Sequence, residues 1–147
     1  MKALIQKVTR AYVSVEGKTV SEIGNGLLVF LGVGKDDTVN DIAPLADKII
    51  NLRIFENEEG KFDLSIKDVK GEILLVSQFT LYADCSRGRR PDFMMAAPAP
   101  YAKEIYEKTL AELNAKGIRT SGGVFQAKMQ ISLINDGPVT IILETGK

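Results

Sequence analysis

The sequence predicts a single α+β domain in which mostly antiparallel β-sheets pack with two main helices. Three observations indicate this fold class. The chain has 147 residues, the length of one domain. Its first third shows the alternating pattern of β-strands, and only two segments show helical spacing. We therefore treat residues 1–147 as one unit with one core.

The amino-terminal third is predicted to form strands. Apolar and polar side chains alternate in residues 11–15, and a Gly-Lys turn leads into residues 19–23, which is typical of a half-buried hairpin. Residues 3–8 precede this hairpin in the same sheet. Residues 27–31 are continuously apolar after a Gly-Asn-Gly turn, so we expect a central strand there.

Two segments have the spacing of amphipathic helices. Residues 41–52 place apolar side chains three and four positions apart, with Asp41 as the expected N-cap and Pro44 in the first turn. A second helix is predicted to begin near Pro100 and to end before Gly117.

The remaining strands surround polar segments. Residues 72–81 contain a buried apolar run that leads directly into polar side chains. Residues 127–133 alternate as a strand, residues 135–138 interrupt it with turn-forming residues, and residues 139–144 form the last strand.

The composition excludes several classes of site. The chain has no His, which rules out Ser-His-Asp and Cys-His catalysis and a His-ligated zinc. One Cys permits neither an intramolecular disulfide nor a Cys-based zinc site. We expect no metal and no cofactor. Because no apolar run approaches 18 residues, we also expect a cytoplasmic protein without a membrane partner.

Charge restricts contact with nucleic acid to a local surface. The 19 basic and 19 acidic side chains give a formal net charge of zero. Direct counting gives +3 for residues 1–35 (5 basic, 2 acidic), −5 for 36–63 (3 and 8) and +2 for 64–147 (11 and 9). A nucleic acid would therefore meet the amino-terminal strands and the loop with Arg87, Arg89 and Arg90, although such clusters are often only solvated surface.

Two polar segments are candidate sites, and each also has a simple structural explanation. Ser77, Gln78, Phe79 and Thr80 offer hydroxyls, an amide and main-chain N–H groups where a buried strand emerges, but a strand can end in polar residues for no functional reason. Residues 135–140 are equally typical of a β-turn.

Cys85 is the remaining candidate nucleophile. Asp84 beside it disfavours a thiolate, and the chain has no His to deprotonate the thiol. We therefore expect Cys85 to have no catalytic role.

Taken together, these segments give the chain a strong resemblance to a known family. It resembles the D-aminoacyl-tRNA deacylases, also called the D-tyrosyl-tRNA deacylase family, over almost its full length. The motifs that carry the resemblance are Ala3-Leu4-Ile5-Gln6, Val8-Thr9-Arg10-Ala11, Gly26-Leu27-Leu28-Val29, Leu31-Gly32-Val33, Leu52-Arg53-Ile54-Phe55, Val76-Ser77-Gln78-Phe79-Thr80-Leu81, Arg90-Pro91 and Asn135-Asp136-Gly137-Pro138-Val139-Thr140.

The resemblance implies a barrel-like homodimer that hydrolyses the ester bond of D-aminoacyl-tRNA. In the family, Gly137 and Pro138 are joined by a cis peptide and enter the neighbouring subunit's active site. There the dipeptide excludes an L side chain, while glycine can pass the same filter, so mischarged glycyl-tRNA is a further expected substrate. The resemblance thus assigns chiral selectivity to rigid main chain.

The resemblance also implies roles for the polar segment. The N–H groups of Phe79 and Thr80 are expected to stabilise an oxyanion, and Ser77 and Gln78 to position substrate or water. The hydroxyl of Thr80 is a possible nucleophile, but it lacks a visible base, so a positioning role is favoured; the tRNA's own ribose hydroxyl is the other possibility. Two further residues, Phe125 and Met129, are expected to line the pocket.

One departure from the family and one alternative function stay open. Lys7 stands where the family commonly has an Arg that braces the Gly-Pro segment, and Lys lacks the planar guanidinium. The alternative function is a non-catalytic module that binds charged tRNA ends, which the missing acid and base residues and the arginine cluster would also explain.

Overall fold

A computed structural model describes residues 1–146 and contains eight strands and two α-helices. The strands are β1 (Lys2–Val15), β2 (Lys18–Ile23), β3 (Gly26–Gly32), β4 (Phe55–Glu56), β5 (Phe62–Leu64), β6 (Glu72–Ser77), β7 (Thr120–Gly122) and β8 (Gln130–Glu144). The helices are α1 (Ile42–Asn51) and α2 (Ala99–Ala115), and short 3₁₀ turns span Val39–Asp41 and Phe79–Tyr82. The predicted α+β class is confirmed.

The main sheet is mixed and nearly closes into a barrel. Its order is β2-β1-β3-β6-β7, and β8 also pairs with β1. The three pairings of β1 are antiparallel, as the sequence predicts, whereas β3–β6 and β6–β7 are parallel. With β4–β5 also antiparallel, four of the six pairings among the described strands agree with the expectation of mostly antiparallel sheets. The two parallel pairings were not predicted, and they arise because helical crossovers return the chain in the same direction.

The first and the last strand of the chain differ in extent from the prediction. Residues 3–8 and 11–15 belong to the single strand β1, and β8 continues through residues 135–138 from Gln130 rather than from residue 127. The turn-forming residues shift the register, since Gln6 pairs with Thr140 but Val8 pairs with Asn135. They therefore produce a bulge within the strand and do not end it.

Both helices have the predicted positions, with one correction at a cap. Asp41 occupies the position before α1 but makes no side-chain cap hydrogen bond to that helix. Its carboxylate instead accepts the Thr38 N–H at 2.7 Å, because Thr38 caps the preceding 3₁₀ turn. Helix α2 has Pro100 in its first turn and ends before Gly117, whose φ is +89°.

Apolar side chains form two clusters on opposite faces of the sheet. The larger cluster packs both helices against β1, β3 and β6, and the smaller lies on the other face beneath β2 and β8. Strand β3 contributes to both, which confirms that it is central and covered on two sides.

Within residues 1–146 neither helix combines the length and apolar character that crossing a membrane requires.

Candidate active site

A cleft opens where two parallel strands end. Strands β3 and β6 run in the same direction, with Leu31 beside Ser77, so their carboxyl ends meet at one edge of the sheet. The cleft at this edge has a volume of about 690 Å³. Its walls come from these strand ends, the start of α2 and the segment before β8: Leu31, Val33, Val76, Ser77, Gln78, Phe79, Ala96, Ala97, Ala99, Ala102, Tyr106, Phe125, Gln126, Ala127, Lys128, Met129 and Ile131.

The 3₁₀ turn Phe79–Tyr82 at the mouth of the cleft is held from both ends. Gln78 N–H donates to the Leu31 carbonyl at 2.8 Å. The Tyr82 hydroxyl donates at 3.0 Å to Asp37, which also accepts the Gly34 N–H at 2.6 Å. A Cβ on Gly34 would lie 2.8 Å from the Tyr82 ring, so only glycine permits this approach. The turn is therefore anchored to the sheet.

The ionisation of this anchor suits its structural role. Partial burial alone would raise the pKa of Asp37, but hydrogen bonds from the Met1 α-ammonium and the Gly34 N–H hold it below its ordinary value. Burial, followed by the nearby Asp37 charge, raises the pKa of Tyr82. Asp37 thus stays ionised and Tyr82 stays protonated near neutral pH, which preserves their hydrogen bond.

The turn presents unused main-chain donors. Gln78 precedes it and makes no side-chain cap hydrogen bond. Within residues 1–146, no acceptor is found for the N–H groups of Phe79 and Thr80. The first N–H groups of a helical turn have no partner inside the turn, so both are available to an external oxygen.

The Thr80 hydroxyl is not arranged as an activated nucleophile. Its Oγ1 accepts a hydrogen bond from the Gln78 side-chain amide, which cannot remove a proton. Both side chains remain accessible to solvent. The arrangement fixes the orientation of the hydroxyl without supplying a base.

The opposite wall of the cleft is aromatic and apolar. The Phe125 ring packs against the Tyr106 ring with centroids 5.9 Å apart. The Tyr106 hydroxyl donates to the Leu75 carbonyl at 2.7 Å and accepts the Gly123 N–H at 3.2 Å, and burial raises its pKa. Tyr106 is therefore fully engaged in holding the wall, and Met129 lies beside it.

The chemistry available in the cleft is mainly that of oriented dipoles. Among the described residues that line it, Lys128 carries the only formal charge, and none is a carboxylate or a thiol. Residues 1–146 contain no group of three or more His, Cys, Asp or Glu that could hold a metal. Cys85 is exposed and lies outside the lining. An apolar wall strengthens the effect of nearby N–H dipoles on a developing negative charge.

The structure gathers most, but not all, of the residues expected in the site. Ser77, Gln78, Phe79, Phe125 and Met129 line the cleft. Thr80 is not part of the lining but directly follows Phe79 in the same 3₁₀ turn. In contrast, Gly137 and Pro138 do not line the cleft of their own chain. Both are exposed, and a cis peptide joins them.

Lys7 is buried and faces aromatic rings. Its side chain is 5% exposed, and its ammonium lies 5.8 Å from the centroid of the Phe55 ring and 5.6 Å from that of Phe62. In the described part of the chain it makes no hydrogen bond to Gly137 or Pro138. Its expected bracing of that segment stays a prediction.

Sequence reasoning did not identify several walls of the cleft. Tyr106 shares a helix face with the buried Ala102, four residues earlier, so helical spacing could have placed it inward. The alanines before and within α2 and the exposed Lys128 had no such signal, because their place depends on how distant segments pack.

Comparison with known proteins agrees with this geometry. Residues 4–144 match the family described as D-Tyr-tRNA(Tyr) deacylase. Similar proteins described as D-aminoacyl-tRNA deacylase occur in Thermotoga petrophila, 55% identical over 100% of this chain and 99% of the relative, and in Dictyoglomus turgidum, 56% identical over 99% and 93%.

Two solved structures have the same fold. One, described as a c-Myc DNA unwinding element binding protein, superposes with a TM-score of 0.94 at 44% identity and covers 100% of both chains. The other, described as a probable eukaryotic D-amino acid tRNA deacylase, has a TM-score of 0.82 at 16% identity over 97% of both chains, which is evidence for the fold alone.

Proposed function

Because this chain belongs to the family of D-aminoacyl-tRNA deacylases, hydrolases that act on ester bonds, we propose that it proofreads the chirality of charged tRNA in the cytoplasm. It hydrolyses the ester that joins a D-amino acid to the 3′ end of tRNA and leaves L-aminoacyl-tRNA intact. Glycine has no side chain to exclude, so mischarged glycyl-tRNA is hydrolysed as well. The products are the free amino acid and tRNA, and no metal or cofactor takes part.

The observation that carries the catalytic part of this proposal is the pair of free N–H groups at the mouth of an apolar cleft. The ester carbonyl carbon is attacked by water, and its oxygen gains negative charge in the transition state. The N–H groups of Phe79 and Thr80 point to an oxyanion role because nothing else in residues 1–146 accepts from them. Ser77 and Gln78 position the water or substrate, and Gln78 also orients the Thr80 hydroxyl.

Ester chemistry needs no strong base in this arrangement. An aminoacyl ester is already activated, and orientation of the reacting groups can supply a large part of the acceleration. The absence of carboxylates, thiols and imidazoles from the described cleft lining supports this mechanism. Water, oriented by Thr80 or by the ribose hydroxyl of the substrate, is the attacking group.

The chiral filter requires a second subunit. Gly137 and Pro138 are exposed and lie outside the cleft lining of their own chain. They belong to β8, which pairs only with β1 among the described strands and exposes isoleucines at positions 134 and 142, with exposed fractions of 60% and 52%. Apolar side chains on an unpaired edge strand support a subunit interface there. We therefore assign the dipeptide to the partner's cleft, where its main chain meets an L side chain and excludes it.

The test is release of tyrosine from D-tyrosyl-tRNA and L-tyrosyl-tRNA at equal concentrations. We expect rapid release of the D-amino acid and release of the L-amino acid at the rate without protein. Equal rates of hydrolysis of the two esters would contradict the proposal that the protein excludes L-amino acids. Saturable binding of charged tRNA with no hydrolysis above background would instead favour the alternative function, a module that only binds charged tRNA ends.

A further inference from the structure

We propose that residues 84–92, here called the arginine loop, bind the backbone phosphates of the tRNA acceptor end while the ester lies in the cleft. This inference rests on the proposed function, since it concerns how the same substrate is held. It assigns a phosphate-binding role to Arg87, Arg89 and Arg90. Single-stranded and helical RNA both present phosphates, and arginine is suited to them because its planar guanidinium donates several hydrogen bonds.

The three loop arginines differ from the other arginines of the chain. The chain has six arginines, and those outside the loop each form an ion pair: Arg10 with Glu22, Arg53 with Asp63 and Arg119 with Glu72. Within residues 1–146, no carboxylate pairs with any of the three loop arginines, and all three are exposed. The loop thus concentrates three exposed guanidinium groups that no described ion pair engages, on a chain with zero formal net charge.

In the described chain, the acidic residues at the base of the loop form no ion pair with its arginines, and residues 84–92 keep a formal charge of +1 (3 basic, 2 acidic). Asp84 accepts the Ser86 N–H at 2.9 Å, and Asp92 accepts the Met94 N–H at 2.7 Å. Hydrogen bonds from Ser86 lower the pKa of Asp84, which keeps it ionised and in place. Both carboxylates are therefore used to shape the turns at the two ends of the loop. The arginines between them stay free for an external anion.

The loop is fixed at the mouth of the cleft. Asp84 and Asp92 exchange two main-chain hydrogen bonds of 2.8 and 2.9 Å, which close its base. The chain before this base is the 3₁₀ turn Phe79–Tyr82, and immediately after it Phe93 packs edge-on against the Phe79 ring with centroids 5.0 Å apart. Phe79 itself lines the cleft. Both ends of the loop are thus tied to the turn that presents the oxyanion donors.

The size of the loop limits which phosphates it can reach. Seven residues lie between Asp84 and Asp92, so the tip projects at most about 12 Å from the base, at roughly 3.4 Å for each extended residue. The arginines therefore reach phosphates close to the esterified 3′ end and not distant parts of the tRNA. The expected partner is the backbone of the acceptor end, contacted without regard to base sequence.

The experiment compares two triple variants of the full-length protein that lose the same charge. In the loop variant, Arg87, Arg89 and Arg90 are replaced by Ala; in the control, Arg10, Arg53 and Arg119 are replaced by Ala. Equilibrium binding of uncharged tRNA is measured from about 50 to 200 mM salt. Each phosphate contact contributes roughly 0.7–0.9 to the salt slope, so three contacts correspond to about a 30-fold change in affinity over this range.

We expect the loop variant to bind tRNA more weakly than the wild type at low salt, and its affinity to depend much less on salt concentration. The control variant is expected to keep the salt dependence of the wild type. Equal slopes for the wild type and the loop variant would overturn the proposal, as would an equal loss in both triple variants. Cys85→Ser, a change within the same loop that keeps all three arginines, is expected to leave binding unchanged. Retained thermal unfolding temperatures confirm that the exposed substitutions leave the fold intact.

A second measurement separates this proposal from the proposed function. D-tyrosyl-adenosine carries the ester but no phosphates, so the loop variant is expected to hydrolyse it with the wild-type kcat/KM and to hydrolyse D-tyrosyl-tRNA at least about tenfold less efficiently at low substrate. Equal losses on both substrates would contradict phosphate binding by the loop. Failure of the wild type to hydrolyse either ester would contradict the proposed function, while the tRNA-binding comparison would still decide the role of the loop.

Discussion

Replacing Phe79 with proline is expected to lower kcat for D-tyrosyl-tRNA by about 10² to 10³, the usual cost of removing one oxyanion donor. Proline removes the main-chain N–H at this position and nothing else of the main chain. Phe79 begins a 3₁₀ turn, a position that suits the fixed φ of proline. The preceding Gln78 has φ −147° and ψ 82°, which lies outside the α region that proline disfavours in the residue before it. Single-turnover kinetics measure the effect on the chemical step.

Phe79→Ala is the matched control for this variant. It also removes the ring, which is 57% exposed and packs only edge-on against Phe93, but it keeps the N–H group. We expect its kcat to fall far less than that of Phe79→Pro. Similar losses in the two variants would mean that the ring, and not the main-chain donor, accounts for the contribution of this residue.

Gly137→Ala is expected to lower kcat/KM for D-tyrosyl-tRNA by about 10², which is the cost that a displacement of about 1 Å can impose on an oriented site. Gly137 has a φ of +149°, where a side chain is strained, and a Cβ there would lie 2.6 Å from Val139 Cγ2 and 2.8 Å from its N. The turn must therefore move. Steady-state kinetics with D- and L-tyrosyl-tRNA measure both the lost activity and any lost selectivity.

The neighbouring Asp136 provides the control for this turn. It is exposed, and Asp136→Ala changes a side chain without constraining the main chain, so we expect little effect on either substrate.

The strain in Gly137→Ala is expected to cost about 1–3 kcal/mol in the free energy of unfolding. Wild-type activity in a folded Gly137→Ala protein would show that the position of the dipeptide does not matter to catalysis.

Local patterns in the sequence were sufficient to predict the helices and the central strand. The spacing of Ile42, Leu45 and Ile49 predicts α1 to within one residue at each end, because one apolar face must pack against the sheet. The continuous apolar run in β3 predicts a strand covered on both faces, and both core clusters include it. These features are determined by residues that lie close together along the chain, so a short window of sequence is enough to predict them.

The parts of the fold that depend on distant residues were predicted less well. Turn-forming residues around Asn135 indicate the end of a strand, but pairing with β1 carries β8 past them. The parallel pairing of β3 with β6 has no local signal either. In the site, the polar residues Ser77 and Gln78 were candidates because they follow a buried strand, and the resemblance supplied their roles. The aromatic wall at Tyr106 had no such signal, because it exists only where α2 packs beside β6.

The most direct test of the central claim is the activity of a purified mixed dimer, with one Phe79→Pro chain and one Gly137→Ala chain carrying different tags. If each cleft is completed by the partner's dipeptide, one of the two sites contains both intact parts, and the mixed dimer should show about half of the wild-type activity on D-tyrosyl-tRNA, although both parent dimers are nearly inactive. A mixed dimer as inactive as its parents would contradict the account, because it would mean that cleft and dipeptide act within one chain.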